Sequence, residues 1–178
     1  MIETATLGGG CFWCVEAALV QLDGVVSAIS GYCGGNLANP DYQAICTGES
    51  GHAEVVQIRF DSATLDYRTL LLAFFAIHDP TTSNRQGNDV GSQYRSVIFT
   101  HDASQEAIAR VLITELDGNG IWPAPIVTQI LPAPRFWPAE DYHQDYFARN
   151  PHQGYCQFVV EPKVAKLRQQ FRDQLKPG

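Results

Sequence analysis

Residues 53–60, AEVVQIRF, alternate as a half-buried strand should, with Val56, Ile58 and Phe60 on one face and Val55, Gln57 and Arg59 on the other. The next run changes period. Asp61 and Asp66 precede residues 67–78, an apolar stretch with helical spacing. Strand-like and helix-like segments keep recurring, which is the pattern of a mixed α/β domain. The spacing predicts strands over 3–7, 25–32, 94–100, 126–131 and 155–160. Helices are predicted over 11–22, 103–116 and 139–150, and from Pro162 to about Leu175. Two loops, 33–51 and 79–93, are rich in turn formers, and the second is long enough to suggest function.

The chain has 178 residues, close to the ~150 of a usual domain, so residues 1–178 are expected to form a single domain. Twelve Lys and Arg against 19 Asp and Glu give a net charge of −7, which repels phosphate backbones and anionic lipid. Nucleic acid and membrane surfaces are therefore not the expected partners. The longest apolar run, residues 70–77, falls far short of the ~18 needed for a membrane span. The first residues, MIETATLGGG, lack the basic and apolar regions of a secretory signal. The expected location is cytoplasmic. Five cysteines in such a compartment point away from a structural disulfide framework and toward catalysis, metal binding or plain burial.

Gly8-Gly9-Gly10 after a strand permits a tight turn and puts Cys11 at the first turn of a helix. Unpaired amides and the helix dipole there favour an anion, so Cys11 is expected to be partly thiolate and nucleophilic. Burial as a small apolar residue is the alternative. Cys14 completes a Cys-x-x-Cys, which also fits a thioredoxin-type dithiol. Half a zinc site is a weaker reading, because Cys33, Cys46 and Cys156 have no ligand-like spacing. Phe12 and Trp13, between the two thiols, suit the wall of an apolar substrate pocket as well as they suit a core.

Glu54 opens the alternating strand on the face of Val56 and Ile58. A carboxyl there would have a raised pKa and suit general acid catalysis near neutrality, unless it turns to solvent at the strand end. Residues 85–96 crowd hydrogen-bonding side chains around Gly87 and Gly91, as either a solvated loop or a built site. Cys156 follows a turn, from which a thiol can approach a distant partner; Cys33 and Cys46 also lie in loop-like segments. His143 fits either a base for Cys11 or a helix-surface histidine.

Gly10-Cys11-Phe12-Trp13, Gly51-His52-Ala53-Glu54, Arg85-Gln86-Gly87-Asn88-Asp89 with Gln93-Tyr94-Arg95-Ser96, residues 139–144 (AEDYHQ), and Asn150-Pro151 with Gly154-Tyr155-Cys156 resemble the peptide methionine sulfoxide reductase A family. The matches occur in the family's order and span most of the chain. The resemblance implies a two-layer α/β sandwich with a mixed sheet flanked by helices. It also implies reduction of the S epimer of methionine sulfoxide, free or in proteins, without cofactor or metal.

In that reading Cys11 attacks the sulfoxide sulfur, Glu54 supplies the acid, and Tyr42 and Tyr94 hydrogen-bond the oxygen. Phe12 and Trp13 hold the methyl group and Asp89 orients the site. Cys156 resolves the Cys11 sulfenic acid, and thioredoxin reduces the resulting disulfide. A monomer is expected. Cys14 replaces a glycine often found at that place and competes as resolver. The alternative function is general thiol–disulfide exchange through Cys11 and Cys14.

Overall fold

The computed structural model describes residues 1–178. In chain order its elements are β1 (Ile2–Gly9), α1 (Phe12–Leu19), β2 (Val25–Cys33), α2 (Tyr42–Cys46), β3 (Ala53–Asp61), α3 (Tyr67–Ala76), β4 (Arg85–Gln86), β5 (Asp89–Val90), β6 (Ser96–Thr100), α4 (Ala103–Gly118), β7 (Gln129–Pro132), β8 (Phe136–Pro138), α5 (Tyr146–Arg149) and α6 (Glu161–Gln170). Six strands form a mixed sheet in the order β7-β6-β1-β3-β2-β8; every pair is antiparallel except β6 with β7. β4 and β5 pair as a separate small hairpin.

The alternation of β3 decides which face is covered. Val56, Ile58 and Phe60 are fully buried in one core with residues of α1, α3 and α6, among them Leu19, Leu70, Phe74 and Leu167. On the opposite face Val55 packs with Cys33, Ala53, Val97 and Phe99 in a smaller cluster. Asp66 and Asp102 cap α3 and α4 by accepting the N–H groups of Thr69 and Gln105 at 2.7 and 2.8 Å, each cap contributing about 1 kcal/mol. No helix is long and apolar enough to cross a membrane.

Residues 155–160 are not a strand. Cys156–Val160 is a wide helical turn that runs directly into α6. Cys156, Val160, Val164 and Leu167 are its buried residues, and their helical spacing keeps one stripe against the core. Pro162 has no N–H to give the carbonyl four residues back, which accounts for the wider turn just before it.

Residues 139–150 do not form one helix either. A 3₁₀ turn, Asp141–His143, is separated from α5 by Asp145, whose φ of 51° is left-handed. Tyr94 ends a 3₁₀ turn, Ser92–Tyr94, and the strand begins at Ser96; β7 likewise begins at Gln129 rather than at 126. The short elements α2, β4, β5 and β8 lie in stretches with no sustained period, where sequence spacing carries little signal.

Candidate active site

The start of α1 faces the Glu54 end of β3 across a cavity of about 260 Å³. Cys11, Phe12 and Trp13 line it from α1, Tyr42 from α2 and Glu54 from β3. Asp89 and Tyr94 come from the loop before β6, and Gln153 and Tyr155 from the segment before Cys156. Gly10 makes the approach possible. Its φ is +93°, and a Cβ there would stand 2.6 Å from Cγ of Gln86. Cys11 is thereby left half-buried as the N-cap of α1, its carbonyl accepting the Cys14 N–H at 3.1 Å.

Glu54 is 2% exposed, on the core face as its strand position requires. Its Oε1 accepts the Phe12 backbone N–H at 3.1 Å. Burial pushes its pKa up to about 8; the Phe12 bond opposes this, and the Asp89 charge adds to it. At neutral pH the cavity therefore holds a carboxylic acid. Tyr42 and Tyr94 are also raised, first by burial, then by Cys46 beside Tyr42 and by Glu54 beside Tyr94, so both remain O–H donors.

The Cys11 thiol contradicts the expectation of a resting thiolate. Burial, a hydrogen bond to Cys14 and the nearby Glu54 push it well above the usual thiol range, outweighing the lowering contact with the Trp13 backbone. Cys14 moves the other way, lowered first by the bond from Cys11 and also by Lys163. A helix start alone does not make a thiolate when a second thiol and a carboxyl compete for the same charge.

Trp13 is held on several sides. Its Nε1 donates to Nδ1 of His143 at 3.1 Å, and its ring stacks on Tyr146 at 3.7 Å and 4°. The edge of Tyr155 approaches it at 5.9 Å. His143 is not on a helix surface, and its Nδ1 is taken by Trp13 rather than by Cys11. It is 1% exposed, packed near Phe12 and Tyr42, and its pKa is lowered by burial. Tyr42 is placed by its backbone N–H, which donates to Oε2 of Glu140 at 2.9 Å; Tyr32 donates to the other oxygen at 2.9 Å. His52 holds the preceding loop, accepting the Gly35 N–H at 3.0 Å and bonding the Leu37 carbonyl at 2.7 Å.

Cys156 stands outside the cavity wall. It is fully buried, raised by burial and then by the charge on Cys14. Tyr155 fills the place beside it, donating to Oδ2 of Asp89 at 2.6 Å with its oxygen 4.0 Å from the Cys14 sulfur. The sequence singles out neither Gln153 nor Tyr146 and gives Tyr155 no role beyond its place in Gly154-Tyr155-Cys156, although Gln153 and Tyr155 lie within three residues of Cys156. Cys33 packs on the far face of the sheet and Cys46 is exposed. All five thiols are free, and no three His, Cys, Asp or Glu side chains group as a metal site.

Residues 3–175 match the family described as "Peptide methionine sulfoxide reductase". The peptide methionine sulfoxide reductase MsrA of Chromobacterium violaceum is 59% identical over 170 residues, covering 96% of this chain and 97% of that protein. Among solved structures, reduced Mxr1 from Saccharomyces cerevisiae superimposes with a TM-score of 0.82 at 35% identity, over 87% of this chain and 89% of that one. Mxr1 in complex with Trx2 superimposes with a TM-score of 0.58 at 26% identity, over 82% of this chain and 84% of that one.

Proposed function

This chain belongs to the peptide methionine sulfoxide reductase A family and shares its activity, reduction of the S epimer of methionine sulfoxide through a catalytic cysteine; we propose that Cys11 is that cysteine and Glu54 the acid that enables it. The observation that carries the assignment is the shared cavity, in which a half-buried thiol meets a carboxyl that is 2% exposed and whose pKa burial pushes up to about 8. A sulfoxide oxygen is a poor leaving group until it gains a proton. Glu54 supplies that proton while the Tyr42 and Tyr94 hydroxyls donate to the same oxygen. Phe12 and Trp13 take the methyl group, and Asp89, bonded to Tyr155, keeps the acid's pKa high.

Attack of the Cys11 sulfur on the sulfoxide sulfur forms an S–S bond; the protonated oxygen then passes to the Cys11 sulfur as the S–S bond and the substrate S–O bond break. The thiol proton replaces the one that Glu54 gave up. Methionine leaves, and Cys11 remains as a sulfenic acid. A second thiol then displaces water to give a disulfide, which a thioredoxin reduces at the cost of its own dithiol. The existence of a related protein solved in complex with Trx2 supports that partner.

The resolver has two candidates, and one contact favours an intermediate step. Cys14 lies three residues after Cys11 on the same helix and its charge raises the Cys11 thiol, whereas Cys156 is fully buried and close enough to Cys14 to be raised by that thiol's charge. We therefore read the order as Cys11 to Cys14, then Cys14 to Cys156 by thiol–disulfide exchange, with Cys156 ending the relay. General thiol–disulfide exchange through Cys11 and Cys14 alone leaves the acid and the phenols without work. Turnover of stereochemically pure sulfoxides with dithiothreitol tests the assignment. Consumption of the S epimer and not the R epimer is expected; insulin disulfide reduction without sulfoxide turnover would reverse it.

A further inference from the structure

One buried carboxyl takes no part in that chemistry. Glu16 lies on α1, five residues after Cys11, and is 4% exposed. Its Oε1 accepts the Ser30 hydroxyl of β2 at 2.9 Å, and its Oε2 accepts the backbone N–H of Asp145 at 2.8 Å. Asp145 is the left-handed residue that separates the 3₁₀ turn from α5, a conformation that L side chains rarely adopt. The next residue is Tyr146, whose ring lies flat on Trp13 at 3.7 Å. The carboxyl thus grips the backbone one residue before the aromatic that backs the cavity wall.

The grip is reinforced at the same place on β2. Gln144 accepts the Ser30 N–H at 2.9 Å and donates to the Ser30 carbonyl at 3.0 Å. Arg149 bonds the carbonyls of Asp141 and Gln144, which closes the segment on itself; Glu16 ties its backbone to α1, beside the side-chain bond from Trp13 to His143. The charged groups facing Glu16 are Asp145 and Arg149. Of the groups that hold Trp13, His143 at its indole nitrogen, Tyr146 on its face and the edge of Tyr155, only Tyr146 is set through Glu16.

We propose that Glu16 is a positioning residue that determines substrate size: by holding Asp145 in its left-handed backbone it presses Tyr146 onto Trp13, and so fixes the width of the pocket for the alkyl group on the sulfoxide sulfur. The proposal rests on reading Trp13 as the wall of that pocket. A methyl group then fits and an ethyl group is rejected. Loosening the segment lets Trp13 retreat, so an ethyl sulfoxide gains relative to the methyl one.

The test compares kcat/KM for free S-methionine sulfoxide and S-ethionine sulfoxide, with dithiothreitol as reductant. In Glu16→Ala the methyl-over-ethyl preference should fall by about tenfold, the scale of one methylene in an apolar pocket. The KM for the methyl substrate should rise more than its single-turnover rate at saturation falls. Glu16→Gln keeps an acceptor for the Asp145 N–H and should restore the preference. Asp145→Gly placed in Glu16→Ala should restore part of it, because glycine takes the left-handed backbone without help. Tyr146→Leu, at a half-buried site, should lower the preference on its own and serves where Glu16→Ala fails to fold.

An unchanged preference in Tyr146→Leu, or in folded Glu16→Ala, overturns the proposal while the wild type still turns over the methyl substrate. Absence of sulfoxide turnover in the wild type would instead remove the reading on which it rests.

Discussion

Oε1 of Glu54 accepts the backbone N–H of Phe12 at 3.1 Å, which ties the second residue of β3 to the peptide unit directly after Cys11. Acid and nucleophile therefore keep a fixed separation, set by the sheet and the first turn of α1. The acid form of Glu54 exists below its pKa of about 8 and is lost above it. The single-turnover rate of sulfoxide reduction at saturating substrate should accordingly fall as pH rises through about 8. Glu54→Gln should be slower by ~10²-fold or more and lack that limb. Rapid-quench measurements across pH 6 to 10 would reveal it; an equal rate in Glu54→Gln would end the acid role.

The charge on Asp89 raises the pKa of Glu54. Asp89→Asn removes that charge and should move the falling limb to lower pH, so that activity at pH 8 is lost before activity at pH 6. A limb that stays in place would mean that Asp89 acts only through its bond to Tyr155.

Stability should carry the same signature. Glu54 at about 8 and Glu16 at about 7 both lie above the usual carboxylate range, each mainly because of burial. The folded state then binds more protons than the unfolded one between about pH 5 and 8. Stability must decline as pH rises through that window. Urea midpoints at pH 5.5 and 8 should differ in the wild type, and the difference should shrink in Glu54→Gln.

How much of this was legible beforehand follows from period. Alternation in β3 assigned Glu54 to the face of Val56 and Ile58, and burial at 2% follows from that face. The glycines before Cys11 marked the turn, and Gly10 is left-handed as such a turn demands. Cys156 to Val160 misled because Val159, Val160 and the aromatics around them favour strands locally. The spacing of Cys156, Val160, Val164 and Leu167 carried the helix, but across a proline that reads as a start. His143 had no local signal at all. Its burial comes from Phe12, Trp13 and Tyr42, more than a hundred residues away in sequence. The resting charge on Cys11 was hidden for a related reason, since it depends first on burial by the fold and then on Cys14 and Glu54.

The cysteine relay makes a pair of opposite expectations. After about one equivalent of sulfoxide without reductant, Cys156→Ser should hold a Cys11–Cys14 disulfide, detectable by peptide mapping, and thioredoxin should recycle it poorly. Cys14→Ser should instead retain a sulfenic acid that dimedone traps, because Cys156 must first leave its buried place beside Tyr155. A Cys11–Cys156 disulfide forming at the wild-type rate in Cys14→Ser would make Cys156 the direct resolver and Cys14 dispensable.

Trp13 offers the last check, through the bond from its indole nitrogen to Nδ1 of His143 at 3.1 Å. Burial lowers the pKa of His143, so the ring stays neutral and keeps an acceptor nitrogen for Trp13 at neutral pH. His143→Leu fills similar space without an acceptor and strands the indole N–H, costing about 1–3 kcal/mol of stability. The KM for sulfoxide should rise with it, because the pocket wall loses its only hydrogen-bonded support. His143→Gln, which retains an acceptor, should recover much of both. Chemical denaturation and steady-state kinetics on the two variants decide the matter: a normal KM in His143→Leu would leave the ring contacts with Tyr146 and Tyr155 to place Trp13.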